Sequence, residues 1–407
     1  MEKNDVVVVS AVRTPFGKFG GTLKDIPSID LAAMVIREAL QRVNVKGEEV
    51  EETYYGSAVP GEVGLETDVP ARQATLKAGM PADHVSITLD RACCSSLSAV
   101  RLGYRAIRAG EVEVALGVGA ENMSRTPLIV PPYVRWGSRL GNIELWDGLY
   151  GLGYKGFNPV SVDAGEVALE YGITREDQDR WAYGSQMKYA KAFTEGKFKI
   201  GEELMKVDIP QRKGPPIILE KDEFPKSDTT LEKLTKLPLV YGSPTVTAGN
   251  APGLDTGASA ILIMSEKKAK EKGLKPLAKI ISMVATATTP RLIAAIPGIT
   301  IQAALKKAGL TLDQIGLIEI NEAFAAMPLV SDKILAEGDS DKMKRLLEKT
   351  NVNGGAIAIG HPVGASGARI LMTLIYELRR RGGGIGVASI CGGLAQGDGA
   401  VVQLEGR

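Results

Sequence analysis

One stretch of this chain is written twice. Ile36, Ala39, Leu40 and Val43 stand at i, i+3, i+4 and i+7, an apolar stripe on the helical period, and Ile301, Ala304, Leu305 and Ala308 repeat them at an offset of 265. The same offset carries Val45 to Leu310 and Val50 to Ile315, through the next loop and into a strand, which a chance stripe would not do. Each copy continues with a turn, a strand, a loop of small residues and another helix. In the first copy the loop is RACCSSLSAV (Arg91 to Val100). Leu97, Val100, Tyr104 and Ile107 then share a helical face, and a strand follows near 113–118. In the second the loop is GHPVGASGARIL (Gly360 to Leu371), with a helix to about Arg381 and a strand over 384–390. An opening β-branched run, Asp5 to Ser10, precedes a helix that Asp30 is placed to cap. Strand and helix alternate in both halves, which predicts parallel or mixed sheets covered by helices in a duplicated α/β fold.

The 407 residues leave room for two or three packed units at roughly 100 to 200 residues each. The chain divides into 1–120, 121–274 and 275–407. The middle region is rich in Pro, Gly and aromatic residues over 127–159, then carries a polar helix over 175–195 and a mixed-charge loop to Lys236. Long loops within compact domains serve as lids or binding surfaces, so this region is read as substrate recognition. Charges nearly cancel, 49 basic against 48 acidic, which gives no field to attract nucleic acid or an anionic membrane. No apolar run reaches a membrane span and the first five residues do not start a secretory signal, so the reading is a cytoplasmic protein without a membrane partner.

Three cysteines and two histidines bound the chemistry. Cys93 precedes Ser95 and Ser96 at a helix start, where the dipole is expected to lower a thiol's pKa and favour a nucleophile; a buried inert cysteine is the alternative. Cys94 must point elsewhere and is read as structural. His361 lies in NVNGGAIAIGHPVGASGAR, where Gly354, Gly355, Gly360, Gly364 and Gly367 let backbone crowd an imidazole. Cys391 ends a strand, and strand ends in open α/β sheets are where ligands gather, so the topology lets it share a crevice with His361. His84, in a polar stretch, is read as a surface loop residue. The cysteines lack the spacing of a zinc site, so no metal is expected. The literal GxGxxG at Gly151, Gly153 and Gly156 has no preceding strand and does not suggest a dinucleotide fold.

Taken in order, VVSAVRTPFGKFGG, DRACCSSLSAV, GAENMS, TVTAGNA, NEAFA, GGAIAIGHPVGASGAR and the terminal cysteine-glycine loop resemble the thiolases over nearly the whole chain. The resemblance implies a five-layered α-β-α-β-α body of duplicated halves with an inserted loop domain that binds coenzyme A. It implies that Cys93 takes an acyl group from a thioester, that His361 activates it, and that Cys391 exchanges the α-proton of a second acyl-CoA. Asn321 in NEAFA would hold a water that forms one oxyanion site with His361; the backbone amides of Cys93 and Gly393 would form the other. Acyl-CoA and coenzyme A are then substrates, no separate cofactor is needed, and a homodimer or homotetramer is expected. Cys93 and Cys391 would face one pocket, where oxidation would join them.

Several positions depart from the family's pattern. Pro159, Val160 and Ser161 replace a His-Met-Gly run beside the acyl pocket. Pro252 replaces a serine near the pantetheine arm, and Leu394 and Ala395 stand where glycines are common. Lys226, Ala248, Gly249, Pro252, Phe324 and Val160 are the substrate-binding candidates, with Arg212, Lys213 and Lys221 as further cations for the phosphates. The implied activity is acyl-CoA C-acyltransfer, with an acetyl-CoA acetyltransferase as first reading. A 3-ketoacyl-CoA thiolase for longer chains is the alternative, and a non-catalytic lipid-binding or scaffold protein on the same fold a remote one.

Overall fold

The computed structural model describes residues 4–59, 68–149, 154 and 156–406. In the N-terminal half β1 (Val6–Arg13), α1 (Ser28–Gln41), β2 (Glu52–Gly56), α2 (Pro70–Lys77), β3 (Val85–Leu89), α3 (Ser95–Ala109) and β4 (Val114–Asn122) follow one another. The inserted region carries α4 (Val160–Glu170) and α5 (Arg175–Thr194) before β5 (Thr256–Ser265). The C-terminal half contains β6 (Ala278–Ala287), α6 (Ile296–Ala308), β7 (Leu317–Ile320), α7 (Ala326–Ala336), α8 (Ser340–Lys349), α9 (Ser366–Arg380), β8 (Gly384–Gly392) and β9 (Gln396–Leu404).

The repeat seen in the stripe of α1 and α6 is repeated in the strand pairing. In the first half β1 pairs antiparallel with β5, β5 antiparallel with β4, β4 parallel with β2, and β2 parallel with β3. In the second, β6 pairs antiparallel with β9, β9 antiparallel with β8, and β8 parallel with β7. A parallel bridge from Ile318 to Thr350 then stands where β3 would be. The half-sheets join through β1 and β6, where Val6, Val7 and Val8 face Ile280, Lys279 and Ala278.

Strand alternation then builds the layers. Val6 and Val8 enter a central core with Leu97, Ile107, Ile370 and Leu374, so α3 and α9 lie between the half-sheets. Val7 and Val9 point the other way, onto Ile29, Val35 and Ile36 of α1. Across the C-terminal half-sheet, Val387 and Val401 pack on Ile301, Met327 and Val330 of α6 and α7. The stacking is helix, sheet, helix, sheet, helix, the five layers that the resemblance implies.

Two local readings change. Asp30 does not cap α1: the helix starts at Ser28 behind Pro27, and Asp30 sits in its first turn, paired with Lys77 at 2.6 Å. His84 is not a surface residue. It is buried, with Nδ1 3.0 Å from the Val50 carbonyl and Nε2 2.9 Å from Thr53 Oγ1, because the turn between α2 and β3 folds onto β2. Within the region 121–274, β5 runs between β1 and β4, so the excursion from the repeat closes before residue 274. The inserted region is anchored to β1 by Arg13, fully buried, which reaches Glu203 at 2.7 Å and Asp222 at 2.6 and 3.0 Å.

The central layer is close because small residues line it. A β-carbon on Gly367 would lie 2.6 Å from the backbone nitrogen of Leu97. Gly367→Ala is therefore expected to push α9 off α3 and to destabilise the protein by about 1–3 kcal/mol. A lowered denaturation midpoint at unchanged slope supports this packing, and an unchanged midpoint counts against it.

Candidate active site

The predicted residues follow the carboxyl ends of parallel strands. Asn321 comes directly after β7, Cys391 closes β8, and Cys93 lies in the turn between β3 and α3. That turn is a single 3-10 turn, Ala92–Cys94, entered with Ala92 at φ +49°, a left-handed conformation that costs a non-glycine residue about 1–2 kcal/mol. The 91–94 and 390–393 loops are in direct contact. A β-carbon on Gly392 would lie 2.6 Å from the Arg91 carbonyl and 2.9 Å from Cys94 Sγ, while Cys94 Sγ is 3.4 Å from the Ile390 carbonyl. Cys94 is thus structural, as read. Arg91 ties the same loops, donating to Gln396 at 3.0 Å and Asp398 at 2.5 Å.

His361 brings the halves together: its Nε2 lies 3.1 Å from Cys93 Sγ and 3.5 Å from Asn321 Nδ2. Its tautomer follows from one hydroxyl. Ser366 Oγ donates its proton to the Pro362 carbonyl at 2.8 Å, so at 2.6 Å from Nδ1 it accepts, which leaves Nε2 unprotonated toward the sulfur. Asn321 is oriented by a similar exclusion. Arg369, fully buried, can only donate, and its Nη2 lies 3.2 Å from Oδ1, so the amide nitrogen turns to His361.

The pair is electrically neutral at rest. Burial, with the nearby Arg369 charge, takes His361 down to about 3. Burial, and next the neighbouring Cys391, holds the Cys93 thiol well above its ordinary range. This corrects the expected lowering by the helix dipole: Cys93 stands half-buried in the 3-10 turn ahead of α3, and desolvation outweighs the partial charge. Burial also raises Cys391, to about 12. Among the described residues all three cysteines are free, and no His, Cys, Asp or Glu cluster is set to hold a metal.

Buried acids that sequence reasoning did not single out hold the loops. Glu121 accepts from the amides of Ala58 at 2.8 Å, Val59 at 3.1 Å and Gly364 at 3.0 Å, clamping the His361 loop to the end of β4. Its only signal was membership of the GAENMS run. Asp255 accepts from the His361 amide at 2.7 Å. Nothing in the sequence marks it as buried.

Comparison with known proteins decides the family. Residues 6–267 match the thiolase N-terminal domain and residues 274–404 the thiolase C-terminal domain. The chain belongs to the thiolase family. It is 44% identical to an acetyl-CoA acetyltransferase of Cupriavidus necator over 98% of this chain and all of that one. It is 41% identical to an acetyl-CoA acetyltransferase of Syntrophomonas wolfei over 98% of this chain and 99% of that one. Human mitochondrial 3-ketoacyl-CoA thiolase in complex with CoA superposes with a TM-score of 0.91 at 37% identity, over 99% of this chain and 98% of that one.

The remaining candidates differ in exposure. Lys226 is exposed, its ammonium 4.9 Å from the Phe224 ring centroid, and its charge reaches Asp255. Ala248 is exposed, while Gly249, Pro252, Phe324 and Val160 are half-buried. The 247–250 loop is fixed by Asn250, which donates to Asp179 at 2.9 Å, and its carbonyl accepts from Ala325 at 2.9 Å, placing Ala248 and Gly249 beside the Phe324 loop. Arg212, Lys213 and Lys221 are exposed. Gly151 and Gly153 lie outside the described residues, and Gly156 adopts φ +89° in a turn. Leu394 and Ala395 hold φ +56° and +54°, the region glycine enters freely, so the turn after Gly393 keeps a glycine-like backbone under non-glycine side chains.

Asp255 makes stability pH-dependent. Burial raises it to about 7, so between its unfolded value near 4 and pH 7 the native state holds a proton that the unfolded chain releases, and stability falls as pH rises. Asp255→Asn keeps the acceptor and removes the titration. Its melting temperature relative to wild type is expected to climb from pH 4 to 7 and level above; a pH-independent difference would contradict the assignment.

Proposed function

We propose that this thiolase is an acetyl-CoA C-acetyltransferase that makes and cleaves acetoacetyl-CoA through an acyl group on Cys93. The reading is carried by the 3.1 Å approach of Cys93 Sγ to an unprotonated His361 Nε2. As the sulfur attacks the thioester carbonyl, its proton passes to Nε2. Collapse breaks the carbon–sulfur bond to coenzyme A, and the departing thiolate takes the proton back. The acyl-Cys93 thioester is close in energy to the substrate, so transfer runs both ways.

For the second half, Cys391 passes its proton to the free His361 Nε2, and the resulting thiolate removes the α-proton of a second acetyl-CoA. The enolate carbon attacks acyl-Cys93, a carbon–carbon bond forms, the bond to Cys93 sulfur breaks, and that sulfur recovers the proton from His361, which leaves both thiols and the imidazole as they began. The high pKa of Cys391 suits a strong base. Enolate charge would meet a water held by Asn321 together with His361, and tetrahedral charge the amides of Cys93 and Gly393; each such donor is worth about 3 kcal/mol. No cofactor beyond coenzyme A is required. Lys226 and the 248–252 loop, with Pro252, are proposed to hold the pantetheine and phosphates, and Val160 and Phe324 to line the acyl side.

Acetyl preference follows the names of the two bacterial relatives; the rival is a 3-ketoacyl-CoA thiolase, the name the human structure carries, acting here on longer chains. A thiolysis series over 3-ketoacyl-CoA chain length separates them, and kcat/KM rising with length would refute the acetyl reading. Cys391→Ser is expected to keep acyl exchange between acetyl-CoA and coenzyme A yet lose condensation by about a hundredfold or more. Retained condensation would refute its role as base.

We also propose self-association. Among the described residues β3 closes the sheet with one edge unpaired and Val85 and Ile87 exposed at 52% and 46%, and the 128–146 stretch exposes Trp136 and Leu140. A homodimer through β3 would cover the first surface, and a homotetramer would cover the 128–146 stretch as well. Sedimentation should find a dimer or tetramer that Ile87→Lys breaks; a monomeric wild type, or an undisturbed Ile87→Lys assembly, would contradict this.

A further inference from the structure

One side chain at the thiol pair has no part in the chemistry above. Tyr154 comes from the inserted region and ends beside the 391–393 loop: a β-carbon on Gly393 would lie 2.1 Å from its hydroxyl oxygen, 2.8 Å from its Cζ and 3.3 Å from Ala92 Cβ. The phenol therefore occupies the space that the missing side chain of Gly393 leaves, next to the turn that carries Cys93. Its acidity is pushed to about 12 by burial first, then by Cys93, Asp90 and Cys391, so the hydroxyl feels both sulfurs. Tyr154 is still 38% exposed. It thus runs from solvent to Gly393 and the turn that carries Cys93, as a side wall.

We propose that Tyr154 is a specificity-determining residue: its ring closes the acyl end of the pocket over Gly393 and confines the acyl group to a short chain. The proposal rests on the reading of Cys93 as the acyl carrier. An acyl carbonyl seated on the amides of Cys93 and Gly393 sends its chain toward what flanks Gly393, and there it meets Ala92 and the Tyr154 ring. Each added methylene must displace the ring. Half-exposure leaves the side chain replaceable without loss of a core contact.

The test compares wild type, Tyr154→Phe and Tyr154→Ala by thiolysis kcat/KM on acetoacetyl-CoA and 3-oxooctanoyl-CoA, as a ratio of long to short that does not depend on the folded fraction. Tyr154→Ala is expected to raise the ratio about tenfold or more, and Tyr154→Phe by less because most of the ring remains. An unchanged ratio in Tyr154→Ala overturns the proposal. A second readout needs no coenzyme A chemistry: alkylation of Cys93, mapped by mass spectrometry, by N-ethylmaleimide relative to the smaller iodoacetamide. Removing the ring should favour the larger reagent, and an unmoved ratio of rates overturns the proposal. A wild type that itself prefers the longer substrate refutes the acetyl reading, while the shift between variants still decides whether Tyr154 is the wall.

Discussion

A sulfur and an imidazole nitrogen 268 residues apart stand 3.1 Å from each other, and the rest of the molecule can be understood as what holds them there. Neither half of the duplicated fold contains both. Cys93 enters from the end of β3 and His361 from the loop before α9, so the contact exists only while α3 and α9 stay packed between the half-sheets. Closeness depends on absent side chains: β-carbons on Gly119 and Gly367 would run into the Gly364 carbonyl and the Leu97 backbone. Glu121 then fixes the gap by accepting from both sides of it.

Once the groups are close, burial decides their charge state. In water a cysteine at a helix start beside a histidine would tend toward an ion pair. Burial disfavours both charged forms here, and the resting pair is a thiol and a neutral imidazole whose tautomer is set by Ser366. Proton transfer is thereby deferred to the moment when the sulfur bonds to carbon, and the thiol is not left as a free thiolate. Arg369 orients Asn321 from behind on the same principle, a donor-only group forcing an amide to show its own donors to the site. The inserted region is seated on β1 through its two buried acids, Glu203 and Asp222, which hold Arg13.

Sequence was most informative where period and order carry the signal. The stripe of α1 and its copy in α6 announced the duplication, while a helix start pointed to Cys93, a glycine-crowded loop to His361 and a strand end to Cys391. Wherever burial by distant segments matters, sequence was silent. His84 looked like a polar loop residue because nothing local shows that its turn folds onto β2. The thiol of Cys93 looked acidified because a helix start is visible in the chain and desolvation is not. Asp255, Ser366 and Arg369 act through partners 5 to 106 residues away. Tyr154 sits in a stretch whose composition says only loop.

Acyl transfer in this site depends on Cys93 Sγ as the atom that receives the acyl group, with His361 as its base. The most direct measurement is to mix the enzyme with acetyl-CoA, quench in acid and map the acetyl group by peptide mass spectrometry. One acetyl group on Cys93 itself, located by fragmentation of its peptide, formed quickly in the wild type and far more slowly in His361→Ala, is the predicted result. Acetyl found on Cys391 or Cys94 instead, or on Cys93 at an undiminished rate without the imidazole, would contradict it.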